Sequence, residues 1–191
     1  MVGNAPNFAK IDILRCFLRI NKNIGRKEIA RELELGEGTV RTILESLKSK
    51  GFLASTKKGH FLSGKGSDAL KTLHKSMSSP KSLNVHAIYP NFKKIGILVR
   101  KVSGLKELYK LRDVAVKNGA DGAIILRFQD KLYAPDSDFQ QDYDDLSKYF
   151  NFETGDVLII GFSSRNRLAE IGAIAIAVEI CESLQNFMSL F

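Results

Sequence analysis

The stretch Ile29-Ala30-Arg31-Glu32-Leu33-Glu34-Leu35-Gly36-Glu37-Gly38-Thr39-Val40-Arg41 decides how the first half of this chain folds. At its start, Ile29, Ala30 and Leu33 fall at i, i+1 and i+4, one face of a helix over residues 26–33 with Gly25 as a permissive cap. At its end a second periodic run begins. Val40, Ile43, Leu44 and Leu47 fall at i, i+3, i+4 and i+7, the apolar stripe of another helix that Gly51 stops. Gly36 between them is read as the turn that ends one helix and opens the next. The second helix then has a core face and an outward face of Thr39, Arg41, Thr42, Glu45, Ser46 and Ser49, all able to hydrogen-bond.

Working outward, Ile11, Leu14, Phe17 and Leu18 recur at helical spacing and predict a helix that ends near residues 21–23. On the other side, residues 52–55 and 60–62 flank Thr56-Lys57-Lys58-Gly59, a hairpin with a basic tip. A fourth helix over about residues 67–76 closes the unit. The run 29–41 quoted above, followed by Leu47 and Lys50-Gly51-Phe52-Leu53, resembles the winged helix-turn-helix of prokaryotic transcription regulators of the GntR and MarR kinds. Leu62-Ser63-Gly64-Lys65-Gly66 resembles the step that follows the wing in those families. The resemblance implies that Thr39, Arg41 and Thr42 meet the major groove, with Glu45 able to accept from a cytosine amino group. It also implies that Arg26 and Lys27 at a helix start, and Lys57 and Lys58 in the wing, meet phosphates. Gly36 departs from the pattern, which usually has a serine at that cap, so one phosphate contact is missing.

Charge supports the same division. Residues 1–80 hold 15 Lys/Arg against 7 Asp/Glu, whereas residues 81–191 hold 14 of each, so the whole net charge of +8 lies in the first half. A phosphate-binding domain joined to a neutral one has this asymmetry. With 44% hydrophobic and 26% charged residues the chain of 191 is ordinary globular protein, which excludes long disorder. The most apolar run, residues 171–181, is too short for a membrane span and contains Glu179. No basic leader opens the chain, and a cytoplasmic protein is expected. Cys16 and Cys181 stand far apart inside helical patterns and read as buried free thiols.

The polar, proline-punctuated stretch Ser76-Met77-Ser78-Ser79-Pro80-Lys81-Ser82 predicts a boundary, giving a winged-helix domain over 1–78, a linker over 79–84 and a second domain over 85–191. In that second domain the expected order is β-β-α-β-β-α. The strands fall at about 85–89, 95–101, 123–128 and 157–162, and the helices run from a Ser103 cap to Gly119 and from residue 163 or 164 to about 187. A mixed α/β chain of two domains follows: a mainly α winged helix, then a two-layer α+β sandwich. The order resembles the pterin-dehydratase-like group, which includes a small domain inserted in some tRNA-charging enzymes. The whole chain resembles an archaeal winged-helix family with an uncharacterised C-terminal domain, on Gly119-Ala120-Asp121-Gly122-Ala123 and Gly155-Asp156-Val157-Leu158-Ile159-Ile160-Gly161-Phe162.

Chemistry is sparse. The dehydratase reaction needs clustered histidines, and His86 is the one histidine after residue 80. Asp136, Asp138, Asp142, Asp144 and Asp145 lack the glycine and final glutamate of a calcium loop, so a solvated acidic loop is the reading. No metal, cofactor or enzymatic activity is expected. Ser163-Ser164-Arg165-Asn166-Arg167 opens a helix, where free N–H groups and arginines could hold a small anionic ligand; a plain cap with two surface arginines is the competing reading. The helix over 171–181 is apolar nearly all round, and Phe187, Met188, Leu190 and Phe191 continue that surface. Both features predict a homodimer, with coverage by the N-terminal domain as the alternative. The expected function is a DNA-binding transcription regulator with duplex DNA as partner. The alternatives are an RNA- or tRNA-associated accessory protein and, third, an enzyme.

Overall fold

The structure is a computed structural model that describes residues 8–137 and 141–191; residues 1–7 and Asp138 of the acidic loop lie outside it. The chain divides into two compact units, Met1–Leu73 with Asn186–Phe191, and His74–Gln185.

The first unit is the expected winged helix-turn-helix. It comprises α1 (Ile11–Arg19), α2 (Arg26–Leu33), α3 (Glu37–Ser49), the hairpin β1 (Leu53–Thr56) and β2 (Gly59–Leu62), and α4, which starts at Gly64 and runs to Ser76. The apolar stripes meet in one core of Leu14, Phe17, Ile29, Leu33, Val40, Ile43, Leu47 and Phe52, all buried. Between α1 and α2 the chain adds a one-residue third strand to the wing. Ile24 N–H donates to His60 O at 3.0 Å, and His60 N–H donates to Ile24 O at 2.9 Å. This explains Gly59, whose φ is 131° and where a Cβ would stand 2.6 Å from Ile24 O.

The helix-turn-helix corner corrects one expectation. Glu34, at φ 54°, makes the left-handed turn, while Gly36 is the extended N-cap of α3 at φ −66°. The left-handed residue is held by a helix-end pair of bonds, in which Glu34 N–H donates to Arg31 O and Leu35 N–H to Ala30 O at 3.0 Å. Two charged residues of α1 are buried. Arg15 Nη1 donates to Asp12 Oδ1 at 2.7 Å and to Leu33 O, a last-turn carbonyl of α2, at 3.2 Å. The pair ties α1 to the end of α2.

The tail of the chain belongs to this unit. In α7 (Glu182–Met188), the Phe187 ring stacks on Phe17 with centroids 4.7 Å apart and lies 5.3 Å from Phe52, with Phe191 at 5.4 Å. The expected boundaries change at both ends as a result. Phe187, Met188 and Phe191 complete the winged-helix core, and within residues 79–84 Lys81 and Ser82 pair with Gly96 and Ile95. Ser78 N–H donates to Leu98 O and Arg100 N–H to Ser76 O, both at 2.8 Å, so this polar stretch runs as a sheet edge.

The second unit is a five-stranded antiparallel sheet in the order β3 (Lys81–Ser82), β4 (Lys93–Val99), β7 (Val157–Ser163), β5 (Gly122–Phe128), β6 (Leu132–Tyr133). Helices α5 (Leu108–Lys117) and α6 (Asn166–Ile180) pack on one face. At the closest approach, a Cβ on Gly161 would lie 2.1 Å from Ala169 O. The other face is also buried, beneath Leu83, Val85, Ile88, Tyr143 and Phe150 and beneath Leu146 of a short 3-10 helix, Asp144–Lys148. The expected strand over 85–89 does not form, because these apolar residues lie across the sheet face instead of pairing with it. Ser103 is not the cap of α5 either; the N-cap lies four residues later, at Glu107 with φ 51°.

Candidate nucleic-acid interface

The structure places the outward residues of α3 as the spacing requires. Arg41, Thr42 and Glu45 are exposed, Thr39 is half-buried, and Val40, Ile43, Leu44 and Leu47 are buried. Arg41 Nε donates to Glu45 Oε1 at 2.9 Å, one turn further along. Thr42 Oγ1 turns back to Gly38 O at 3.3 Å. At the start of α2, Arg26 and Lys27 are exposed, and Arg26 Nη2 reaches Glu37 Oε2 of α3 at 3.4 Å. Lys57 and Lys58 form the wing tip, both exposed, where Lys58 N–H donates to Thr56 Oγ1 at 3.2 Å.

His60 joins these pieces. Its side chain, with Nδ1 2.9 Å from Ser55 Oγ, is held below the usual histidine range of 6.5 by burial, then by the charges of Lys48 and Arg26. A wing residue thus feels the first residue of α2 and the last turn of α3. Lys48, exposed in the last turn of α3, and His60 are further candidate residues that the sequence reading did not name. Lys48 had a signal, since it continues Arg41 and Glu45 at i+7 on the same helix face. Lys65 turns inward instead, with Nζ donating to Lys50 O at 2.7 Å and standing 4.7 Å over the Phe52 ring.

At the start of α6, where the sequence reading expects a small anionic ligand, a carboxylate of the chain itself is bonded. Ser163 is fully buried and its Oγ donates to Asp121 Oδ2 at 2.6 Å, while Ser164 N–H donates to the same oxygen at 3.1 Å. These two bonds lower the Asp121 pKa. Arg165 is the extended N-cap residue and Arg167 lies in the first turn. The acidic loop pairs locally as well, Asp136 with Arg112 and Asp145 with Lys148. Among the described residues, no group of three or more His, Cys, Asp or Glu is placed to hold a metal, and no helix is long and apolar enough to cross a membrane. Cys16 and Cys181 are buried free thiols, and burial pushes the Cys16 pKa up to about 12.

The apolar residues behind the homodimer expectation are largely buried, with Leu190 exposed. Ala169–Ala177 of α6 are all buried, and Phe187 is seated on Phe17 and Phe52.

Fold and surface together define a class: a winged helix-turn-helix unit, with exposed cations on its third helix and wing, joined to an α+β unit. Residues 11–68 match the PH0730-like N-terminal domain, and residues 90–180 match a domain of unknown function (DUF4443). A solved structure, the hypothetical protein PH0730 from Pyrococcus horikoshii OT3, is similar at 32% identity and a TM-score of 0.78, over 91% of this chain and 93% of that one. The chain belongs to the family of that archaeal protein. No curated protein matches it.

Proposed function

We propose that this protein is a transcription regulator that binds duplex DNA, with α3 in the major groove and the wing on the phosphate backbone. The observation that carries the reading is that Arg26 and Lys27 at the start of α2, Arg41 on α3, and Lys57 and Lys58 at the wing tip are all exposed, in the half of the chain that holds the entire net charge. Arg26, Lys27, Lys57 and Lys58 contribute phosphate contacts, and Thr39, Arg41, Thr42 and Glu45 face the bases. The Arg41–Glu45 pair does not block this. An exposed i,i+4 pair is worth about 0.3–0.5 kcal/mol, against ~1–3 kcal/mol for an arginine bidentate to guanine, so the pair gives way to the base. Released, Glu45 accepts from a neighbouring cytosine.

Selection of bound duplexes from a random-sequence pool tests this. The wild-type chain enriches a defined motif, and Arg41→Ala flattens the preference at one position by ~1–3 kcal/mol. No enrichment, or tighter binding of tRNA than of any duplex, overturns the assignment in favour of an RNA-associated role.

A further inference from the structure

The wing is tied to the chain before α2 at one residue. In the register of β1 and β2, His60 stands opposite Ser55, and its backbone also pairs with Ile24 in both directions, at 2.9 and 3.0 Å. The His60 backbone therefore has partners on both sides, which fixes where its ring stands. Ile24 lies two residues before Arg26, the first residue of α2, so the pairing brings the start of that helix beside the wing.

The ring is half-buried, and among the described residues its hydrogen-bond partner is Ser55, with Oγ 2.9 Å from Nδ1. A hydroxyl both donates and accepts. Ser55 can thus donate to the neutral imidazole and accept from the imidazolium, and His60 can gain a charge without losing its partner. Nε2 is left for a ligand.

The surrounding charges favour an anion there. Lys58 and Lys57 lie two and three residues before His60, both exposed, and Lys48 is exposed in the last turn of α3. Apart from His60, β1 and β2 carry no charged or titratable side chain. Glu28 and Glu32 of α2, and Glu37 and Glu45 of α3, already lie against Lys22, Arg19, Arg26 and Arg41, at 2.9–3.9 Å. In the free chain, burial and then the charges of Lys48 and Arg26 keep the ring below its ordinary 6.5, hence neutral at pH 7. A phosphate oxygen at Nε2 reverses that balance, because it offsets the two cations and accepts from the protonated ring. We propose that His60 is a phosphate contact of the duplex, neutral in the free chain and protonated in the complex, so that binding takes up one proton from solution. The inference rests on the duplex-binding reading above. Affinity then rises as pH falls through the midpoint of the complex and levels off below that of the free chain.

A mixed-sequence duplex of ~25 base pairs is the probe, since phosphate contacts carry no sequence information. Its binding to the full chain is measured at about pH 8 and about pH 5.5, over ~50 to ~200 mM salt. The imidazole resonances of His60, His74 and His86, the three histidines of the chain, are titrated by NMR with and without duplex. The wild-type chain should bind about tenfold tighter at the lower pH, with a logarithmic salt slope steeper by about 0.9. Among the three histidines, the midpoint that rises on binding should be that of His60. His60→Asn should lose most of the difference between the two pH values, and His60→Arg, charged throughout, should keep the steeper slope at both. Three results overturn the proposal and leave the duplex reading standing: a wild-type salt slope that ignores pH, a pH effect that survives His60→Asn, or a His60 midpoint unmoved by duplex. Absence of duplex binding at either pH overturns both.

Discussion

Replacing Phe187 by alanine removes a ring from the winged-helix core even though the residue lies more than a hundred positions away in the sequence. The ring is 5% exposed and contacts Phe17, Phe52 and Phe191 at centroid distances of 4.7, 5.3 and 5.4 Å. Truncating a buried phenylalanine costs ~3–5 kcal/mol, and aromatic pairs add roughly 0.5–1.5 kcal/mol each beyond area, which points to the upper part of the range. With a urea dependence of about 1–3 kcal/mol per molar, the midpoint falls by at least ~1 M. The chain has no tryptophan, and its five tyrosines all lie between residues 89 and 149, in the second unit. Tyrosine fluorescence therefore follows the α+β unit, while far-ultraviolet circular dichroism also registers α1–α4. The variant should show an early loss of helical signal ahead of the tyrosine transition. Phe187→Leu, which keeps most of the volume, should lose far less. A loss below about 1 kcal/mol, or a shift confined to tyrosine fluorescence, would refute the assignment of the tail to the first unit.

Further outcomes follow from the geometry. Gly161→Ala sets a Cβ against backbone atoms of α6, 2.1 Å from Ala169 O and 2.9 Å from Ala173 N, and should cost ~1–3 kcal/mol or more in the tyrosine-monitored transition; a neutral effect would contradict this packing. Gly38→Ala, with open space around it in α3, should instead gain up to ~1 kcal/mol. For His60, whose folded pKa lies below the ordinary 6.5, both states are neutral well above that value, and the unfolded chain takes up the proton first as pH falls. Stability should therefore decline from pH 6.5 downward through the folded pKa, and more shallowly in His60→Asn; identical pH profiles of the two urea midpoints would remove His60 from the account.

The first unit is legible in the sequence because its elements are local. Periodic stripes give α1, α2 and α3, and Lys57-Lys58-Gly59 gives the wing. What escapes is non-local. Nothing near Phe187 says that its partner is Phe17, and apolar residues such as Leu83, Val85 and Ile88 cover a sheet face as readily as they form a strand. Ser76–Ser82 has linker composition, yet its backbone groups find partners on β4. At the candidate interface, side-chain identity and face could be read from spacing, whereas the influence of Lys48 and Arg26 on His60 needs the third dimension. The approach to α6 shows the same limit, since the carboxylate bonded to Ser163 comes from Asp121, forty-two residues earlier.

The salt dependence of duplex binding tests the central claim most directly. Affinity of the wild-type chain and of the Lys57→Ala, Lys58→Ala double variant would be measured from ~50 to ~200 mM salt, where each phosphate contact contributes about 0.9 to the logarithmic slope. The account predicts a steep slope for the wild type and one shallower by about 1.8 in the double variant, since both lysines are exposed at the wing tip. An unchanged slope, or no binding to duplex DNA at the lowest salt, would contradict it.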